Sequence, residues 1–134
     1  GGLRMRQITV VAKNSKDLIA DITGLLGSHD IDIRNMDSHL VGRDAYVKLV
    51  VDDYDRGLKL LTEEGYNAVS DESVLLRIVD KAGALAEVAR AISGHGINTR
   101  AITMLQKDGD FTVIAVGTDD NDQVRALFRD TLVN

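Results

Sequence analysis

The sequence predicts an α+β protein in which one βαββαβ unit is written twice. Two observations carry this expectation. Sliding the 134-residue chain against itself by 66 positions sets His29 on His95, Ile31 on Ile97, Arg34 on Arg100 and Val47 on Val113, and the same ungapped shift sets Val50 on Val116, Asp53 on Asp119 and Leu61 on Leu127. It also lays Ile19, Ile22 and Leu26 over Leu85, Val88 and Ile92, the three-then-four spacing of one helical face. A chance match would not keep helix face, hairpin and glycines in a common register.

Each copy is read in the same order. Ile8–Ala12 and Val74–Val79 are short apolar runs that suit a strand. Polar turns follow at Lys13–Asp17 and Asp80–Gly83, and amphipathic helices then run to about Leu26 and Ile92. Gly27 and Gly94 are expected to end those helices in the left-handed conformation that glycine permits. Extended runs come next, Ile31–Leu40 and Ile97–Gln106, then a turn and a third strand, Ala45–Val51 and Phe111–Val116. Lys107-Asp108-Gly109-Asp110 predicts a type I′ hairpin through its Asp-Gly pair. Val41-Gly42-Arg43-Asp44 holds the same place with a weaker signal.

A second helix follows in each copy, marked by Leu58 and Leu61, then by Val124, Leu127 and Phe128. Acids and amides crowd its start: Asp52, Asp53 and Asp55, and later Asp119, Asp120, Asn121 and Asp122. Without the glycine and distal Glu of a calcium loop, these residues are expected to cap the helix and offset its dipole. The first copy closes with a strand near Tyr66–Ser70, whereas the second has only Leu132-Val133-Asn134 left. That last strand is expected to be missing, shortened or supplied by a partner. The units are assigned to residues 6–72 and 73–134. A split βαβ puts its helices on one face of an antiparallel sheet, which is the ferredoxin-like arrangement. The Gly-Gly-Leu-Arg ahead of Met5 reads as an addition before a native start.

Composition narrows the function. With 4% aromatic and 44% hydrophobic residues, the core must be aliphatic. There is no Cys and no Trp, which removes disulfides, thiolate metal sites and thiol nucleophiles. A net charge of −5 argues against nucleic acid, which needs a clustered positive surface. No run is apolar and long enough for a bilayer span or a signal-peptide core, so a cytoplasmic protein is expected. RNA recognition on this fold needs stacking aromatics on the central strands, where the sequence offers Val, Ala, Lys and Thr. Metallochaperone chemistry needs a cysteine pair, and acylphosphatase chemistry an Arg in the first loop; both are lacking. His29 and His95 are read as solvated caps near helix ends, with a metal shared between equivalent histidines as the lesser alternative. No catalytic constellation, cofactor or metal is expected.

The remaining chemistry lies in the loop Asp80-Lys81-Ala82-Gly83. Unpaired amides of Gly83, Ala84 and Leu85 at a helix start form an anion site, and glycine admits a ligand close to the backbone. Asn98 offers a donor and an acceptor at the start of the next strand. Amides for a carboxylate and an amide oxygen for an ammonium group suit a free amino acid.

The stretch DKAGALAEVARAISGHGIN resembles the ACT domain: an acidic residue, a turn, glycine and Leu entering the helix, then a glycine before Ile97-Asn98. With the doubled unit covering residues from about 6 onward, the chain resembles a stand-alone tandem ACT protein. The resemblance implies a non-catalytic regulatory module that binds an amino acid near a domain interface. Its implied site is Asp80, Ala82, Gly83, Ala84, Leu85, Asn98 and Thr99. Implied partners are a second copy of the chain, as a homodimer, and a regulated enzyme or transcription regulator; a pure interaction or dimerisation module is the alternative. Two departures stand out. Ala82 replaces a proline frequent in the family. The first copy presents Asn14, Lys16, Asp17, Leu18 and Asp32, with Asp17 at the glycine position and Asp32 at the asparagine position, so it is either a degenerate site or one for a cationic group.

Overall fold

The computed structural model describes residues 5–134, and the Gly-Gly-Leu-Arg tetrapeptide lies outside the described residues. The chain forms two compact units, one ending at Asp71 and the other beginning at Glu72. The first contains β1 (Ile8–Lys13), α1 (Leu18–Ser28), β2 (Ile33–Val41), β3 (Asp44–Val51), α2 (Tyr54–Glu63) and β4 (Asn67–Val69). Its sheet runs β2-β3-β1-β4, antiparallel at every pairing. The second contains β5 (Val74–Val79), α3 (Ala84–Gly94), β6 (Thr99–Asp108), β7 (Phe111–Thr118) and α4 (Asn121–Leu127), with an antiparallel sheet β5-β7-β6. Both units are α+β and ferredoxin-like.

The helices pack on one face of each sheet because alternate strand residues and one helical stripe are aliphatic. In the first unit Ile8, Val10, Val47, Leu49 and Val51 meet Leu18, Ile22, Leu26 and Leu61. In the second Val74, Leu76, Ile78, Ile114 and Val116 meet Ala84, Val88, Ile92 and Val124. Tyr46 is an aromatic on a central strand, but it is fully buried and presents no stacking platform.

The last strand of the second unit is shortened to one bridge, Leu76 with Leu132. Arg77 N–H donates to Thr131 O (2.8 Å) and Val133 N–H to Leu75 O (2.9 Å). The Asn134 side chain extends this edge, accepting from Leu75 N–H at 2.7 Å and donating to Ser73 O at 2.9 Å. Helix α4 has 7 residues against 10 in α2, so the chain returns to the sheet early.

Three local expectations need correction. The repeat is not gapless. Met104 pairs with Ile114 but Gln106 with Val113, so Leu105 is an extra residue in a β-bulge. Beyond it the offset becomes 67: Leu49 pairs with Ile8 as Val116 pairs with Val74, and Asp53 and Asp120 are the two N-caps. Val47 therefore corresponds to Ile114 rather than Val113, and Leu61 to Phe128 rather than Leu127.

The helix stops also lie further on. Gly27 and Gly94 are helical, and the left-handed residues are Asp30 (φ 57°) and Gly96 (φ 73°). Ile31 N–H reaches Leu26 O and Asp30 N–H reaches Gly27 O, while Ile97 and Gly96 repeat both bonds to Ile92 and Ser93. This is the Schellman arrangement, and it needs its left-handed residue one place beyond the C-cap. Finally, the hairpin loops are Gly42-Arg43 and Gly109-Asp110, each with a single positive φ, at the glycine (62° and 60°). One positive φ at the first loop position fits type II′, not type I′.

Candidate functional site

The site is built where β5 hands over to α3. Asp80 N–H donates to Asp110 O (2.7 Å), which ties the loop to the neighbouring hairpin. The Asp80 carboxylate lies 3.4 Å from Lys107 Nζ. Lys81 N–H turns back to Val79 O at 3.1 Å. Ala82 and Gly83 are exposed, and Gly83 caps the helix at φ 86°, a conformation that costs an L side chain free energy.

Helix α3 has no side-chain cap. Ala84 N–H donates to Lys81 O at 3.2 Å, so it is not the free amide the sequence suggested. Leu85 and Ala86, one position deeper, have no backbone acceptor in the loop among the described residues. By contrast α2 and α4 are capped internally: Asp53 accepts from Arg56 N–H (3.2 Å) and Asp120 from Gln123 N–H (3.1 Å). The acidic clusters thus serve as caps.

Beside the α3 N-terminus opens a cavity of about 230 Å³, lined by Ile78, Val79, Asp80, Lys81, Gly83, Ala84, Leu85, Ala86, Met104 and Thr112. Four of the sequence-predicted residues, Asp80, Gly83, Ala84 and Leu85, line it together. Its walls are mostly aliphatic, with the charges of Asp80 and Lys81 on exposed loop residues.

Asn98 and Thr99 are elsewhere. Thr99 pairs with Thr118 at one end of β7, whereas Val79 pairs with Phe111 at the other. Helix α3, 11 residues long and so about 16 Å, separates Asn98 from Gly83. Within one unit they cannot hold the same small ligand. Asn98 instead uses its carbonyl to accept from Asp119 N–H (3.1 Å), and Arg100 pairs with the Asp119 carboxylate. Strands β5 and β6 are parallel, so α3 must run back between them, which puts its two ends at opposite ends of the sheet.

The first copy differs in kind. Asn14 N–H donates to Arg43 O (2.9 Å) and Leu18 N–H to Ser15 O (3.3 Å). Lys16 is exposed and the Leu18 side chain is buried where the second copy has the smaller Ala84. Asp17 caps α1 from an ordinary right-handed conformation (φ −102°) and its carboxylate makes no capping bond. Asp32 sits at the far end of α1, with its carboxylate 2.9 Å from Arg34 Nε. His29 and His95 place Nδ1 at 3.1 Å from Leu25 O and 2.8 Å from Ala91 O, so each ring caps the last turn of its helix.

Six wall residues lie outside the site the sequence implied: Ile78, Val79, Lys81 and Ala86 adjoin it in the chain, while Met104 and Thr112 come from other strands. Thr112 is 3% exposed, and among the described residues its Oγ1 has no hydrogen-bond partner. The ungapped repeat laid it on Tyr46; the bulge at Leu105 moves its counterpart to Ala45. Met104 stands immediately before that bulge.

No family model matches the sequence, and no curated protein matches it either. Among solved structures, a Bacteroides thetaiotaomicron protein is similar at 15% identity and a TM-score of 0.48, over 96% of this chain and 91% of that one. The ligand-free regulatory subunit of aspartate kinase from Thermus thermophilus is similar at 14% identity and a TM-score of 0.46, over 97% and 93%. The small subunit of acetolactate synthase from Thermotoga maritima is similar at 8% identity and a TM-score of 0.42, over 98% and 91%.

Proposed function

We propose that this chain is a non-catalytic regulatory module of the ACT type that binds a free amino acid at the β5–α3 loop. The observation that carries the proposal is the cavity at an uncapped helix start, where aliphatic walls adjoin Asp80 and Lys81. A ligand carboxylate would meet the Leu85 and Ala86 amides and the Lys81 ammonium. Its ammonium group would meet Asp80, displacing Lys107, and its side chain would enter the cavity. At about 230 Å³ the space lies below the ~300 Å³ where sites for drug-sized ligands begin, which favours an amino acid over a nucleotide. Asn98, Thr99 and the first-copy residues have no part in this pocket. Binding here would be read out by a partner enzyme or transcription regulator, or by a second copy of the chain.

Calorimetric titration of the whole chain with each free amino acid tests this reading. Saturable binding of at least one, lost in Lys81→Ala or Gly83→Asp, is the expected result; no heat from any of them would end it.

A second reading, an interaction module that pairs through a sheet edge, draws on the shortened bridge along β5. Light scattering on ligand-free protein would then give a concentration-dependent dimer that a charged substitution at Val79 dissolves.

A further inference from the structure

We propose that the second unit holds a further binding site, in the groove between α3 and the end of α4, and that its ligand is a neutral phenol, a flat ring carrying one hydroxyl. The site is separate from the loop cavity, and the proposal does not rest on amino-acid binding there.

The groove encloses about 250 Å³ between walls of Ile78, Ala84, Val88 and Phe128, with the exposed Lys81 and Glu87 at its rim. Asp80, Gly83 and Leu85 line the loop cavity but not this one. At about 100° per residue, Glu87 and Leu85 flank the buried stripe of Ala84, Val88 and Ile92 on opposite sides. The two cavities therefore open on opposite flanks of α3.

The first unit carries an occupant for the equivalent space. There β1 and β4 pair Val10 with Ala68 and Val11 with Asn67, and the same register carries Tyr66 beside Ala12. Ala12 is the counterpart of Ile78, as Val10 is of Leu76. The Tyr66 side chain packs against the core that contains Leu18 and Ile22, the counterparts of Ala84 and Val88. Burial raises its hydroxyl above the usual value, and the charge of Asp21, the counterpart of Glu87, raises it further, so the hydroxyl lies near that carboxylate.

The second unit omits this plug. Its chain runs from Phe128 to the Leu132 bridge with fewer residues than the first unit uses from Leu61 to Ala68. Asp130, at the register position of Tyr66, is exposed in a turn. Ile78 in place of Ala12 fills part of the space, Ala84 in place of Leu18 empties more of it, and about 250 Å³ stays open. A ring buried there leaves water, and a hydroxyl at its edge would donate to the Glu87 carboxylate in a charge-assisted bond. Lys81 and Glu87 oppose one another at the rim, so an ion of either sign meets a like charge, which favours a neutral ligand. The volume lies below the ~300 Å³ where sites for drug-sized ligands begin, which suits a single ring.

The test is amide NMR titration of the whole chain with p-cresol, the tyrosine side chain as a free molecule, and with toluene, which lacks only the hydroxyl. Saturable shifts at Val88 and Phe128 are expected, with p-cresol bound at least about threefold more tightly than toluene. Glu87→Ala, on the exposed rim, should erase that difference by weakening p-cresol alone. Ala84→Leu, which copies the first unit, should close the groove to both probes. Absence of saturable shifts at these residues, equal binding of the two probes, or a preference that survives in Glu87→Ala overturns the proposal. None of these outcomes bears on amino-acid binding at the loop, which is titrated separately.

Discussion

Asp53 and Asp120 perform the same act in the two units, each accepting a hydrogen bond from the backbone N–H three residues on, at 3.2 and 3.1 Å. Each satisfies an amide that the helix itself leaves orphaned. Asp53→Ala and Asp120→Ala should each destabilise the protein by about 1 kcal/mol. Urea denaturation measures this. Asp52→Ala is informative beside them, because the Asp52 carboxylate instead accepts from Asp32 N–H (3.0 Å), and its loss should unpin the start of β2 rather than the helix.

Gly57 brings α2 close to its sheet. A Cβ there would stand 3.0 Å from Val51 Cγ2 and 3.4 Å from Ile8 Cδ1. In the second unit the same helical position carries Val124, fully buried, and the strand residue opposite shrinks from Ile8 to Val74. The second core thus carries more volume on the helix and less on the strand. Gly57→Val should therefore cost about 1–3 kcal/mol through overpacking. Adding Ile8→Val should recover part of it, which thermal unfolding of the single and double variants would reveal as non-additivity.

Element order and most of each helix face were legible because they follow from aliphatic spacing: Val88 and Ile92 needed no tertiary information, whereas Leu85, expected beside them on the core face, is exposed and Ala84 is buried in its place. The bulge at Leu105 was not legible, since an extra residue on an edge strand breaks no hydrophobic pattern when Met104 and Gln106 flank it. Everything after it slid by one position, and Thr112 was hidden against Tyr46. Gly96 and Asp30 were overlooked as stops because a glycine two or three residues earlier competed for the role, and Asp is an uncommon left-handed residue. Two of the seven expected contacts, Asn98 and Thr99, fall away from the cavity for a different reason. Asn98 is close to Gly83 in a sequence motif, yet a helix of 11 residues stands between them.

Alkaline stability should fall through two tyrosines. Burial raises the Tyr54 hydroxyl above its usual value, partly opposed by the bond it accepts from Asp71 N–H (3.3 Å), with the nearby Asp71 charge raising it further. Burial likewise raises Tyr66, helped by the charges of Asp21 and Glu64. A hydroxyl with a raised folded pKa contributes stability that is complete below the unfolded value near 10 and is lost as pH climbs through the folded value. Denaturation midpoints should thus be flat approaching pH 10 and decline above it. Tyr54→Phe combined with Tyr66→Phe should shallow that decline, and an unchanged slope would show that other groups cause it.

Gly83 invites a substitution whose meaning depends on backbone. Asp17, its counterpart, sits at φ −102°, while Gly83 sits at φ 86° with open space around it. Copying the side chain does not copy the loop. Gly83→Ala should cost about 1–2 kcal/mol from the left-handed conformation alone. Gly83→Asn should cost less, since Asn tolerates that region. Gly83→Asp carries similar strain to Gly83→Asn but adds a negative charge beside the proposed carboxylate subsite. Amino-acid binding by calorimetry should then survive in Gly83→Asn and be lost in Gly83→Asp; equal loss in both would assign the effect to loop strain.

The orphan hydroxyl of Thr112 makes a stability prediction that is independent of any ligand. A buried oxygen without a partner forfeits its hydration and receives nothing in return, at about 1–3 kcal/mol. Thr112→Val replaces that oxygen with a methyl group of nearly the same size in an aliphatic wall. The variant should unfold at a higher urea concentration than the wild type, with the slope of the transition unchanged. A Thr112→Val protein that is less stable would mean that Oγ1 already has a partner in solution.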